Sequence, residues 1–154
     1  MKVLGLRASS SEIRYAILEK TETGILFLNR NTEHRTVYPA NISNIESKLK
    51  WAYDEVSRIV RQNPDMCKIA VKTNEFAGSE TAAKRETIYI DAMFLLVAAD
   101  NSIEVVRRLY SQIGASSSDI KDKAEACAGR TDKYWNTTMA DAIICAYREI
   151  RGMY

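Results

Sequence analysis

The sequence predicts an α/β fold in a single domain spanning residues 1–154, with an antiparallel N-terminal meander, parallel strands after it, and helices on the sheet's faces. Three observations predict it. The first third carries short apolar runs broken by polar turns, the pattern of hairpin-connected strands. Beyond Pro39, helix-like and strand-like segments alternate, which calls for parallel strands joined by helical crossovers. The 154 residues are 46% hydrophobic and 27% charged, with six Gly and two Pro, enough for one core and too few for two full domains.

The elements follow in order. Val3 to Leu6 is an apolar run closed by Arg7 and a Ser-rich turn, and reads as the first strand. Ile13 to Leu18 and Ile25 to Leu28 flank polar residues around Gly24 and complete the meander. Ser43 and Glu46 have the form of a capping box, and Ile45, Leu49, Tyr53, Val56 and Val60 then recur at helical spacing up to Pro64. Lys68 to Lys72 has the apolar centre of a buried strand, and the polar stretch Thr73 to Ser79 makes a loop after it. Glu80 to Ala99 contains helix formers and no Gly or Pro, with Ile88, Ala92, Leu95, Leu96 and Ala99 as its apolar stripe. Ile103 to Val106 is a strand, Ser116 to Ala128 a short helix, and Thr138 to Ile150 a terminal helix after the loop Gly129 to Thr137.

Composition excludes more than it selects. The net charge of +2 neither demands nor forbids a nucleic-acid partner. Cys67, Cys127 and Cys145 form no CxxC pair and have no nearby histidine, so neither a zinc site nor a thioredoxin-type motif can be written, and an odd, scattered set predicts a reducing compartment. The N-terminal apolar run is too short for a signal peptide, and no segment is long enough to span a bilayer, so a cytoplasmic protein without membrane partners is expected. His34 stands alone in a polar segment and reads as a solvated surface histidine. Carboxylates are left as the plausible catalytic groups.

In open α/β sheets the site lies beyond the carboxyl ends of the parallel strands, which selects Arg7, Lys72 to Glu75 and the loop after Val106. Across those positions the chain resembles the ribonuclease H-like superfamily, and within it the Holliday-junction resolvase (RuvC) branch. KVLGLRASSS resembles the first strand and its turn, IAVKTNEFAG the second acidic segment, AAKRETIYIDAMFLLVAA the long helix, and MADAIICAYREI the terminal helix. The resemblance implies a ribonuclease H-like mixed sheet and a cluster of carboxylates holding two Mg²⁺ ions for phosphodiester hydrolysis. Carried across, the family's acids fall on Arg7, on Lys72 or, with a small gap, Glu75, and on Thr138 and Asp141. Only Asp141 and Glu75 supply carboxylates. A guanidinium in place of a metal ligand reverses the local charge, so no metal site and no cofactor are expected, with Mg²⁺ entering only if a nuclease persists.

Three functional classes stay open. A nuclease would use a remodelled acid set of Glu75, Glu80 and Asp141. A catalytically degenerate, nucleic-acid-associated domain would keep Arg7 and Asp141 as a structural ion pair and bind DNA or RNA through Lys84, Arg85, Arg107, Arg108, Lys121 and Lys133, near Tyr110, Tyr134 and Trp135. A non-catalytic interaction protein, of inhibitor or immunity type, would use its surface alone. The same resemblance implies a homodimer formed through the long helix over 80–99, with the stripe Ile88 to Ala99 between the copies. The nucleic-acid-associated reading leads, by analogy of fold.

Overall fold

A computed structural model of the chain describes residues 1–76 and 78–153. The strands are β1 Lys2–Ala8, β2 Glu12–Thr21, β3 Gly24–Phe27, β4 Arg35–Val37, β5 Met66–Lys72 and β6 Glu104–Arg108. The helices are α1 Ile45–Arg61, α2 Ala82–Asp100, α3 Tyr110–Ile113, α4 Ile120–Cys127 and α5 Thr137–Arg151. The strands form one sheet ordered β3-β2-β1-β5-β6, with β4 also pairing with β2. β1 and β2 are antiparallel, whereas β1 with β5 and β5 with β6 are parallel, giving the mixed sheet that the sequence predicts.

Strand alternation sorts the core into two layers. Leu4, Leu6, Ile13, Ile69 and Val71 pack against Val56 and Ile59 of α1 and Ile90 and Phe94 of α2. On the other face Val3, Ala16, Leu18 and Ala70 meet Ile143 and Ala146 of α5 and Ile120 and Ala124 of α4. Gly5 makes this second layer close. A Cβ built on it would lie 1.9 Å from the carbonyl oxygen of Ala142, so the α5 backbone rests directly on β1. Among the described residues no helix is long and apolar enough to cross a membrane.

Several sequence expectations are corrected. Asn44, not Ser43, caps α1, because it holds the extended conformation that aims its Oδ1 at the Ser47 N–H, 2.8 Å away. The long helix starts at Ala82 rather than Glu80, with Thr81 as its cap. Its inward face is Thr87, Ile90, Asp91, Phe94, Val97 and Ala98. The stripe read from the sequence is therefore rotated outward, with Ile88, Ala92, Leu96 and Ala99 exposed. Nearly every position of IYIDAMFLLVAA is apolar, so periodicity alone does not fix the phase. The helix expected from Ser116 begins at Ile120, and α3 and β4 are added elements too short for a periodic signal.

Candidate functional site

β1, β5 and β6 run parallel, so their carboxyl ends finish together, and alternation points Arg7, Lys72 and Arg108 to the face covered by α5. α5 starts at that end and carries Asp141 one turn in, α3 brings Tyr110, and the loop after β5 brings Glu75. Arg7 Nε lies 3.1 Å from Asp141 Oδ2, and Arg7 Nη1 donates to the Lys72 carbonyl and to Asn74 Oδ1 at 3.2 and 3.1 Å. Lys72 is fully buried, donates to the Thr73 carbonyl at 2.5 Å and to Glu75 Oε1 at 3.1 Å, and stands 4.0 Å from the centre of the Tyr110 ring. Tyr110 closes the circuit: its hydroxyl donates to Asp141 Oδ1 at 2.8 Å and its backbone N–H to Glu75 Oε1 at 2.7 Å.

Two cations and two carboxylates thus balance inside one ring, closed by the Arg7–Asp141 ion pair and otherwise by hydrogen bonds. Burial pushes the Asp141 carboxyl up and outweighs the opposing pull of Arg7, the Tyr110 hydroxyl and Lys72. Burial and the neighbouring Arg7 charge push the Lys72 ammonium down, against Glu75 and Asp141. At Glu75 burial acts upward, yet the Tyr110 N–H, Lys72 and Arg7 together hold the carboxyl below its usual range. A divalent cation does not fit this donor set. Asp141 oxygens are committed to Arg7 and Tyr110, Glu75 Oε1 is shared by Lys72 and Tyr110, and repulsion from one cation ~4 Å away is about 8 kcal/mol at an effective dielectric near 20. Among the described residues no group of three or more His, Cys, Asp and Glu side chains could hold a metal ion.

The other sequence candidates scatter. Arg85 pairs with Glu80 at 2.8 Å, which leaves Glu80 outside the ring, and Lys84 donates to the Ser79 carbonyl at 3.0 Å. Arg108 is drawn to Glu149 at 2.7 Å, while its neighbour Arg107 is exposed and alternates to the α2 face. Lys121 is exposed on α4, and Lys133 is exposed in the loop before α5. These six cations are distributed over both faces of the sheet rather than gathered in one patch. Asn136 caps α5, accepting from the Met139 N–H at 2.9 Å, and Thr138 lies in the helix's first turn. His34 is buried at 6% exposure, not solvated, and the Tyr134 ring from the loop before α5 meets it edge-on with centroids 6.3 Å apart. Burial, then the charges of Arg14 and Arg35, push its pKa down.

Sequence reasoning missed two residues. Asp91 is buried on α2 with Oδ1 lacking a hydrogen-bond partner, and burial pushes its pKa up to about 7 against the pull of Arg7, Lys72 and Arg107. Its signal was a lone acid inside the otherwise apolar run IYIDAMFLLVAA. Phe76, next to Glu75, is 90% exposed, and the sequence cue was a lone aromatic inside the polar stretch Thr73 to Ser79 that follows the strand.

No protein-family model matches the sequence, and no curated protein matches it. Solved structures do. Thermus thermophilus RuvC in complex with a Holliday junction substrate superposes with a TM-score of 0.77 at 12% identity, covering 97% of this chain and 93% of that one. The yeast mitochondrial Holliday junction resolvase gives 0.62 at 9% identity, over 97% and 77% of the two chains. Fowlpox virus resolvase with its Holliday junction DNA gives 0.55 at 17% identity, over 99% and 100%. The chain has the ribonuclease H-like fold of these resolvases.

Proposed function

We propose that the protein is a nucleic-acid-binding domain of resolvase-like fold in which an internal ion-pair ring replaces the two-metal site. The observation that carries this reading is Arg7 held 3.1 Å from Asp141, with buried Lys72 beside it, at the strand ends where hydrolysis would need clustered acids. A guanidinium and a buried ammonium there, each already paired within the ring, disfavour Mg²⁺. Phe76 stands exposed beside them and offers a face to an unstacked base. The solved structures of the same fold that hold Holliday junction DNA support the choice of partner. Location in the cytoplasm is part of this proposal.

The test is binding to single-stranded, duplex and four-way-branched DNA and RNA between about 50 and about 200 mM salt, with and without Mg²⁺. The reading expects affinity that falls with salt, does not depend on Mg²⁺, and leads to no cleavage. Stoichiometric Mg²⁺ or Mn²⁺ binding with strand cleavage would instead establish the nuclease that uses Glu75 and Asp141.

A second reading has its own observation. Ile88, Tyr89 and Leu96 are 55%, 45% and 49% exposed along the outer face of α2. We propose that this face pairs with a second copy of the chain, burying the stripe between two α2 helices. If the protein binds no nucleic acid yet sediments as a dimer, an interaction protein becomes the better description.

A further inference from the structure

The loop from Gly129 to Trp135 lies outside the ion-pair ring and is held in one shape. Arg14, only 3% exposed, donates from Nη1 to the Tyr134 carbonyl at 2.6 Å, and Arg30 donates from Nε to the Arg130 carbonyl at 2.7 Å. Thr131 is fully buried and donates to the Lys133 carbonyl at 2.8 Å. Within this frame Tyr134 has φ of +57°, a left-handed conformation that a bulky side chain rarely adopts, and is 53% exposed. Backbone strain of this kind persists where surrounding contacts impose it and is concentrated at functional positions. The result is an aromatic ring kept half-exposed at an energetic cost, with the Arg35 guanidinium centred 3.5 Å from the ring centroid, Arg14 5.9 Å from it, and His34 meeting the ring edge-on.

We infer that Tyr134, backed by Arg35, is a stacking platform for an unpaired nucleobase, an inference that rests on the nucleic-acid reading above and specifies where a non-duplex base docks. The chemistry fits that ligand. A guanidinium behind a ring supports stacking, and Lys133 and Arg130 on the same loop supply charge for the flanking phosphates. Placement fits as well. Arg14 faces Arg7 across the β1–β2 register, and Tyr134 precedes the Asn136 cap of the helix that carries Asp141, so the platform stands beside the ring at the same end of the sheet. A strand whose backbone lies along the ring would bring a displaced base to Tyr134.

The experiment compares the full chain with Tyr134→Gly and Tyr134→Phe, using a labelled duplex with a single unpaired adenine and the same duplex fully paired. Glycine accepts the left-handed backbone without strain, so the loop keeps its shape while losing the ring, and a thermal melt verifies folding. The wild type and Tyr134→Phe are expected to prefer the bulged duplex, and Tyr134→Gly to bind it about tenfold more weakly with paired-duplex affinity unchanged, the size of one lost stack. Equal discrimination by Tyr134→Gly and wild type overturns the platform and leaves the nucleic-acid reading standing. No binding of either duplex by the wild type at about 50 mM salt overturns both.

Discussion

Arg7 of β1 and Asp141 of α5 meet at 3.1 Å, with side-chain exposures of 16% and 1%. Removing the arginine alone strands a buried carboxylate with the Tyr110 hydroxyl as its hydrogen-bond donor and Lys72 as the remaining nearby cation. Arg7→Met is therefore expected to cost about 3–5 kcal/mol in urea unfolding, and the double variant Arg7→Met/Asp141→Leu to recover most of that loss. Additive losses in the double variant would show that the two side chains contribute separately.

Gly5 predicts a steric result. Its missing Cβ is the gap into which the Ala142 carbonyl fits, at 1.9 Å from the position that atom would take. The obstacle is backbone rather than a flexible side chain, so Gly5→Ala must lift α5 from β1 and is expected to cost at least about 3 kcal/mol, the upper end of overpacking penalties. A melting curve that matches wild type would contradict the close seating of α5.

The strand–helix order was legible in the sequence because turn residues and apolar runs mark it directly: Gly24 between two strands, Pro39 before the first helix, and Lys68 to Lys72 as a buried run. The strand ends were legible as positions, Arg7 and Lys72 to Glu75, whereas the shared face of Arg7 and Lys72 comes from the β1–β5 register that sets Gly5 opposite Ala70. The phase of α2 was not. Its apolar content runs nearly all the way round, and only packing on α1 and the sheet decides that Phe94 turns inward and Leu96 outward. His34 was read as solvated and Asp91 went unread for a related reason, since burial of a polar residue depends on what folds over it rather than on its neighbours in the chain.

The cap of α5 is Asn136, two residues before Thr138. Asn136 Oδ1 accepts both the Met139 N–H at 2.9 Å and the Thr138 hydroxyl at 2.8 Å. Asn136→Ala is expected to lose about 1 kcal/mol, whereas Thr138→Ala, already inside the helix, is expected to lose only a few tenths. Thermal melts of the two variants, taken together, test which residue starts the helix that carries Asp141.

Asp91 gives the fold a pH dependence whose sign follows from its raised pKa. Its carboxyl titrates near 3.8 when free and at about 7 in the folded chain, where burial favours the neutral acid despite Arg7, Lys72 and Arg107. Between those values the native state holds a proton that the unfolded chain has released, so this group's contribution is fully present below its free pKa and is lost as pH rises through about 7. The full loss is on the order of 4 kcal/mol. Glu33 and Glu75, whose pKa values are lowered, act in the opposite sense at acid pH, so the wild-type curve alone mixes the effects. Asp91→Asn isolates the term. It keeps the shape and cannot ionise, so its stability relative to wild type should be near zero at about pH 4, rise through neutrality, and level off above about pH 8. A difference between the two proteins that stays constant across that range would mean that Asp91 is already ionised in the folded chain and that its buried oxygen has found a partner.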